Sequence, residues 1–327
     1  MSRSRPLLPL LILSVLASVA QAKGPVYTDP KKTDVDFAIQ GEYAGELETN
    51  EGPRKFGVQV IALGEGKFRA VPYRGGLPGA GGHKSDIPDV EGRTAGGRVI
   101  FTGENATATL ADGALTIVNL NDEELGKLKR IHRKSPTLGK KAPKDAIVLF
   151  DGTSPDHFEK GRMTDDGLLM VGVTSKQRFQ SHQVHIEFRL PYQPQDRDQA
   201  RGNSGIYLQG RYEVQMLDSF GLEGTHHECG GLVDNRDTDL NMCLPPLSWQ
   251  TYDILFTAAK YDDAGKVLEP PRITVHHNGV VIHRDVKLMP RSTRGSSLNA
   301  GKEPGPVYLQ DHGNPVVYRN IWVVNKN

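Results

Sequence analysis

The chain is divided throughout by tight-turn signals, and this feature most limits what it can fold into. Two alternating runs, 57–63 and 67–73, flank Gly64-Glu65-Gly66, and a later pair flanks Asn278-Gly279. Both connections are typical of β-hairpins. Glycine and proline number 36 and 21 of 327 residues, above the usual ~7% and ~5%. Because no helical period is long enough to cover a parallel sheet, we predict an all-β protein.

The length of the chain favours two domains, at roughly 150 residues per domain. The segment 23–125 predicts a small antiparallel β domain of unknown role. The segment 126–144 holds six lysines, two arginines, no acidic residue and two prolines, a composition typical of a linker. The strand-rich remainder, 145–327, predicts a two-sheet β-sandwich.

The first residues resemble an export signal. Arg3 and Arg5 precede an apolar run over 7–20, and Ala20-Gln21-Ala22 ends it. This layout predicts a signal peptide over 1–22 and a periplasmic or extracellular protein. The run is shorter than the ~20 residues that cross a bilayer, so no membrane span is expected after cleavage.

Composition removes other classes of protein. Forty basic residues face 39 acidic residues, a net charge of +1, which argues against a nucleic-acid-binding protein. The two cysteines are too few for a disulfide-stapled small fold. In an exported protein, Cys229 and Cys243 predict one disulfide. The alternative is a pair of buried free thiols.

Each strand of a sandwich buries one face, so the opposite face meets solvent or lines a groove. Here that opposite face is rich in titratable and aromatic side chains. It is either a solvated face with cross-strand ion pairs or a sugar-binding groove. The alternation assigns to it His185, Glu187, Arg189, Tyr207, Gln209, Arg211, Glu213, Gln215, Tyr308, Gln310 and His312.

Several motifs resemble one bacterial family of exported proteins. They are Arg201–Tyr207 (RGNSGIY), Tyr212–Asp218 (YEVQMLD), Trp249–Ile254 (WQTYDI), Gly305–Gly313 (GPVYLQDHG) and Tyr318–Trp322 (YRNIW), with Leu149–Gly152 (LFDG) near the domain start. The family is that of the 3-keto-glycoside lyases/hydratases, also described as 3-keto-disaccharide hydrolases and formerly a domain of unknown function. The resemblance covers roughly 145–327 and implies a concanavalin A-like jelly-roll sandwich.

The resemblance implies chemistry on a glycoside or oligosaccharide whose C3 hydroxyl a partner sugar 3-dehydrogenase has already oxidised. A base removes the C2 proton, and an acid protonates the departing C1 oxygen; water can then add. On the matching positions, Glu213 is the expected base and His312 the expected acid or enolate donor. The expected substrate-binding residues are Asn203, Tyr207, Gln209, Gln215, Gln310, His185 and Glu187.

Two alternatives remain open. A retaining glycosidase would need a second carboxyl group about 5–5.5 Å from Glu213. Asp218 is an odd number of positions away, about 16 Å along a regular strand, so only a bulge would bring the two together. A non-catalytic lectin-like module is the other alternative, since fold alone does not choose between binding and catalysis.

No cofactor is certain from the sequence. A divalent cation is a candidate because Asp234, Asp237 and Asp239 follow His226-His227-Glu228 within one predicted loop. Carboxylates at such spacing suit Ca²⁺, although the glycine and terminal glutamate of an EF-hand loop are missing. No metal ligand is therefore assigned.

Overall fold

The computed structural model describes residues 24–84 and 86–326; the predicted signal peptide lies outside them. The predicted all-β architecture is confirmed. The helices among the described residues are short 3-10 turns at Pro30–Lys32, Val35–Ala38 and Asp198–Ala200. In this part of the chain, no helix has the length and apolar character needed to span a membrane.

The strands are numbered in chain order. They are β1 Gly41–Leu47, β2 Arg54–Gly64, β3 Lys67–Arg74, β4 His83–Lys84, β5 Val90–Ala95, β6 Arg98–Thr102, β7 Ala106–Ala111, β8 Ala114–Asn119, β9 Glu124–Ile131, β10 Ile147–Phe150, β11 Phe158–Glu159, β12 Leu169–Met170, β13 Val173–Phe179, β14 His182–Arg189, β15 Ser204–Leu208, β16 Tyr212–Met216, β17 Trp249–Thr257, β18 Lys260–Tyr261, β19 Val267–Glu269, β20 Arg272–His277, β21 Val280–Lys287, β22 Gly305–Leu309 and β23 Val317–Asn325.

The first nine strands form one antiparallel sheet that closes on itself. Its order is β2-β1-β9-β8-β7-β6-β5-β3, and β2 also pairs with β3, which closes the sheet. The short strand β4 pairs with the end of β3. Strand β2 shows why the sheet closes around a core: Phe56, Val58 and Val60 alternate into the interior and are buried. The predicted β2–β3 hairpin is present, with Glu65 and Gly66 at positive φ.

The segment predicted as a linker is ordered along its whole length. It begins within β9, because Leu128 is completely buried in the interior of the closed sheet. The rest, 132–144, lies across the outer face of the sandwich. There the Gly139 N–H donates to Glu187, and Lys140 pairs with Asp253 at 2.8 Å. The basic composition of the segment did not show that its acidic partners, Glu187 and Asp253, lie on the sandwich.

The second domain is the predicted two-sheet sandwich. The larger sheet has the order β10-β23-β14-β17-β20-β21, with β12 beside β23, and the smaller has the order β11-β13-β22-β15-β16. Every pairing within them is antiparallel. The inward-facing residues form one core that includes Ile186 and Phe188 from the larger sheet and Ile206 and Val214 from the smaller.

Each domain contributes residues to the hydrophobic core of the other. Ile61 and Val71, on the outer side of the closed sheet, belong to the core of the sandwich, and Tyr192 belongs to the core of the first domain. The guanidinium of Arg201 also donates to the Ala62 carbonyl oxygen at 3.2 Å. The first domain is therefore packed against the second and fixed beside it.

The predicted disulfide is not formed in the structure. Cys229 and Cys243 are both free thiols and are buried. The Cys229 sulfur lies 3.2 Å from the Tyr252 hydroxyl, and burial raises the pKa of the Cys243 thiol well above its usual value. The two sulfurs are thus held as hydrogen-bonded thiols in a packed core, which corrects the prediction from sequence.

Candidate active site

Three neighbouring strands of the smaller sheet, β22, β15 and the edge strand β16, bring the predicted base beside two tyrosines. In the β15–β16 hairpin, Tyr207 is directly opposite Glu213, and Tyr207 also faces Tyr308 on β22. These side chains lie on the outer face because their neighbours, such as Ile206 and Val214, fill the sandwich core. The local sequence alternation therefore fixes the face on which Glu213 lies.

Glycine at position 205 makes room for the carboxyl group of Glu213. A Cβ atom at Gly205 would lie 2.1 Å from Glu213 Oε1, far inside van der Waals contact. The Glu213 side chain thus lies over the backbone of the neighbouring strand, a close approach that only glycine allows.

Glu213 is a buried carboxyl group whose hydrogen-bond partner is neutral. The side chain is part of a residue that is 6% exposed. Its Oε2 accepts a hydrogen bond from the Tyr207 hydroxyl at 2.7 Å, and Gln310 Nε2 donates to the same hydroxyl at 3.1 Å. Burial raises the pKa of Glu213 to about 7, although the Tyr207 hydrogen bond opposes the shift and the charge of Asp234 adds to it. A carboxyl group with such a pKa can accept and return a proton near neutral pH.

A cavity of about 570 Å³ lies over this part of the sheet. Four stretches of the chain outside the strands, 198–203, 217–233, 294–295 and 310–312, form its other walls. Its lining residues are Asp198, Gln199, Asn203, Glu213, Gln215, Leu217, Leu222, Thr225, His227, Glu228, Val233, Arg294, Gly295, Gln310 and His312. The volume lies within the range of small-molecule sites in proteins, and its polar lining is suited to a ligand rich in hydroxyl groups.

Two amide oxygens on the cavity wall are buried without a hydrogen-bond partner among residues 24–84 and 86–326. They are Asn203 Oδ1 and Gln310 Oε1. The amide nitrogen of each side chain is occupied, by Gln199 and Tyr207 respectively. Buried polar atoms are normally paired, so these two acceptors are suited to hydroxyl groups of a bound molecule.

Comparison with known proteins identifies the sandwich. Residues 145–324, more than half of the chain, match the model of the 3-keto-alpha-glucoside-1,2-lyase-like domain. The chain belongs to this family. The match coincides with the second domain and bears out the resemblance of its motifs. The family places the chain among carbohydrate-active proteins of the glycosyl hydrolase/lyase type.

One solved structure agrees with this assignment. A "putative glycosyl hydrolase" from Parabacteroides distasonis is 33% identical with a TM-score of 0.52, over 57% of this chain and 85% of that one. Two further proteins of the same description and organism are 16% and 17% identical, with TM-scores of 0.40 and 0.39; they cover 56% and 55% of this chain and 95% and 99% of their own. A search of curated proteins found no match.

The structure brings together six of the predicted site residues, five of them on the cavity wall and Tyr207 behind it. Tyr207 is behind the cavity wall, where it donates to Glu213. Its pKa is raised by burial and by the neighbouring carboxylate, so the phenol stays protonated. The residues that line the cavity directly are Asn203, Glu213, Gln215, Gln310 and His312.

Three other predicted residues lie elsewhere. His185 and Glu187 are on β14 in the larger sheet, beneath the segment 132–144. Gln209 is in the turn between β15 and β16 at positive φ, and its amide donates to the Phe179 carbonyl oxygen. Alternation correctly placed His185 and Glu187 on an outward face, but a sandwich has two such faces, and the sequence did not show that they differ.

The cavity also contains residues that strand patterns did not identify as sugar-binding. His227 and Arg294 come from loops and Gln199 from the 3-10 turn Asp198–Ala200, where no strand period indicates a direction. Burial and the adjacent His226 lower the pKa of His227, which favours a neutral imidazole. The Arg294 guanidinium pairs with Asp234 at 2.8 Å. The pair of adjacent histidines, His226 and His227, is the signal for this wall in the sequence, where it indicates a metal candidate instead.

The second carboxyl group of a retaining glycosidase is not found at Asp218. Asp218 does not line the cavity; its Oδ2 instead accepts a hydrogen bond from the Arg201 guanidinium at 2.6 Å, and both residues are buried. Asp218 thus serves the junction between the two domains rather than the surface that carries Glu213.

The three acids suggested for a cation each have a basic partner from the chain. Asp234 pairs with Arg294, Asp237 with His226, and Asp239 with Arg236. Across the described residues, no group of three or more histidine, cysteine or acidic side chains is arranged to hold a metal ion. The acidic side chains of this loop therefore form ion pairs with basic residues of the same chain.

Proposed function

We propose that this protein cleaves 3-keto-glycosides by removing the C2 proton and eliminating the C1 substituent. The observation that carries the proposal is Glu213: a buried carboxyl group on the cavity wall, with a pKa of about 7 and a neutral hydrogen-bond partner. A ketone at C3 acidifies the neighbouring C2–H bond, so a carboxylate of raised basicity suffices to break it.

The proton passes from C2 to the Glu213 carboxylate, and the bonding electrons form an enolate across C2 and C3. Arg294 is the cationic group on the cavity wall that can stabilise the charge on the enolate oxygen. The enolate then reforms the ketone, a C1–C2 double bond forms, and the C1–O bond breaks. His312 supplies a proton to the departing oxygen.

Water adding across the C1–C2 double bond completes a net hydrolysis. The hydroxyl goes to C1, the remaining proton of the water goes to His312, and protonated Glu213 returns its proton to C2, so that both groups are restored for the next cycle. Elimination and hydration therefore use the same carboxyl group in its two protonation states, and a pKa near neutrality favours both.

The substrate requires a previous oxidation at C3, and we infer that a sugar 3-dehydrogenase provides it. The basic, apolar and small-residue pattern of residues 1–22 supports action outside the cytoplasm. An exported enzyme of this kind would act in the periplasm or the medium on glycosides or oligosaccharides already carrying the ketone.

The decisive experiment compares matched substrates. The protein without residues 1–22 is incubated with a 3-keto-glucoside and with its unoxidised parent, and release of the aglycone is followed for both. We expect release from the keto form alone. Release from the parent would replace the proposal with a glycosidase. Binding without release from either sugar would replace it with a lectin-like module.

A further inference from the structure

The first domain resembles a cup rather than a filled core. One end of the closed sheet is sealed: Phe37 and Ile39 pack against the interior together with Tyr192 and Leu247 from the second domain. The Tyr43 hydroxyl donates to the Ile39 carbonyl oxygen at 2.6 Å and so fixes this seal. The strand ends and loops at the opposite end surround a cavity of about 700 Å³.

Residue size explains why only one half of the interior is filled. Near the sealed end, the inward positions carry large side chains such as Tyr43 and Phe68, both completely buried. Towards the open end, two of the inward positions are Ala70 and Ala108, which line the cavity. A closed sheet of eight strands is just wide enough to be filled by side chains or to hold one small ligand. Here the small side chains of Ala70 and Ala108 leave space for a small ligand.

The wall of this cavity is mainly apolar. Phe56, Val58, Phe101, Leu115 and Leu128 line it and are buried. The size and the apolar lining match those of small-molecule sites. A ligand with an apolar body would therefore gain most by displacing water from this surface.

The charges at the mouth determine which apolar ligand fits. Among the described residues that line the cavity, Asp89, Glu91 and Glu104 are acidic, and Arg74 alone is basic. Arg74 is already paired with Asp86 at 3.1 Å and lies 5.6 Å from the centre of the Phe56 ring. The mouth is thus negative overall and disfavours anions such as fatty-acid carboxylates.

We propose that the first domain binds a small, neutral, mainly apolar molecule inside the closed sheet. This site is separate from the Glu213 cavity and shares none of its lining residues. It gives the first domain a binding role of its own, independent of the reaction proposed for the sandwich.

The test uses two fluorescent probes with the same aromatic body, neutral N-phenyl-1-naphthylamine and its anionic analogue 8-anilinonaphthalene-1-sulfonate. Titration of the chain without residues 1–22 should show one saturable site for the neutral probe, at least tenfold tighter than for the anionic one. Absence of saturable binding of the neutral probe overturns the proposal. Equal binding of the two overturns the assigned chemistry.

The location is tested with a pair of variants on β7. Ala108→Leu fills the cavity, whereas Thr109→Leu adds the same kind of side chain at the adjacent position, which faces the other side of the strand. We expect Ala108→Leu to weaken binding of the neutral probe at least tenfold and Thr109→Leu to leave it within twofold. Ala70→Leu provides a second filling variant if thermal unfolding shows that Ala108→Leu is not folded. Unchanged binding in a folded filling variant would contradict a site inside the closed sheet.

Discussion

Glu213 and Glu187 occupy similar positions on opposite outer faces of the sandwich, yet their ionisation differs. Each lies on a strand of its sheet among inward-facing apolar neighbours, and they are 6% and 1% exposed. Burial raises the pKa of Glu213 to about 7. Burial acts on Glu187 too, but hydrogen bonds from His185, Asn320 and Gly139, together with Arg319, lower its pKa to about 2.

The difference comes from what covers each face. The basic segment 132–144 and β23 supply donors and a cation to Glu187: Gly139 N at 2.5 Å, Asn320 Nδ2 at 2.8 Å and Arg319 Nε at 2.7 Å. The loops over the smaller sheet leave a cavity beside Glu213, whose carboxyl group is hydrogen-bonded by the neutral Tyr207 hydroxyl. A saturated carboxylate stabilises the fold, whereas an undersatisfied one is available for chemistry.

The largest expected difference between the two carboxyl groups is the effect of their substitution on catalytic turnover. Glu213→Gln removes the proposed base and should lower turnover of a 3-keto-glucoside by about 10³-fold, within the range for general-base removal. Glu187→Gln is the matched control on the other face and should leave kcat within about threefold. The measurement is aglycone release under saturating substrate. Full activity of Glu213→Gln would refute the assignment of the base.

The next effect is on stability, where the two substitutions should have opposite signs. Glu187→Gln leaves Arg319 and His185 without their carboxylate and should cost about 3 kcal/mol at pH 8. Glu213→Gln removes a charge that burial disfavours and should stabilise by on the order of 2 kcal/mol. Urea unfolding of both variants measures this, and destabilisation by Glu213→Gln at pH 8 would contradict the raised pKa.

The pH dependence of these stability changes also differs in sign. The folded pKa of Glu213 is above its unfolded value, so the gain from Glu213→Gln is complete above pH 7 and disappears below about pH 4.5. The folded pKa of Glu187 is below its unfolded value. Its contribution is therefore present above about pH 4.5 and is lost as the pH falls towards 2.

A smaller effect concerns the hydrogen bond that moderates the basicity of Glu213. Tyr207→Phe removes the donor that lowers the Glu213 pKa, so the acidic limb of the activity profile should move up from about pH 7 by about one unit. Tyr308→Phe removes the hydroxyl from the neighbouring ring, whose centre lies 5.4 Å from that of Tyr207, and leaves this hydrogen bond intact. It should therefore leave the acidic limb in place. A pH profile of kcat/KM decides, and equal shifts in both variants would argue against Tyr207 as the tuning group.

The smallest effect tests how the basic segment is held on the larger sheet. Lys140 pairs with Asp253 at 2.8 Å, but its side chain is 40% exposed. Lys140→Ala should therefore cost no more than about 1 kcal/mol in urea unfolding. Lys141→Ala, its neighbour, serves as the control. A loss well above this value would mean that the ion pair contributes more than a partly solvated one.

Alternation along single strands placed Glu213 and Gln215 correctly on one outer face of the smaller sheet, although it did not reveal the β15–β16 hairpin that puts Tyr207 opposite Glu213. It failed where two sheets had to be distinguished, because His185 and Glu187 obey the same period on β14. It gave no information on His227 and Arg294, whose loops have no period at all. The two cysteines, predicted to be joined, are buried free thiols, which is the alternative that their spacing left open.

The all-β class, the hairpins at 64–66 and 278–279 and the alternation of faces along the strands were predictable from the sequence, because these depend on residues two to four positions apart. The sequence also carried the motifs of the family. The closure of the first sheet into a cup, the position of the basic segment over Glu187 and the cavity beside Glu213 came from the tertiary structure. Those outcomes depend on which distant segments meet, and the protonation of a buried carboxyl group is set by the groups that surround it in space.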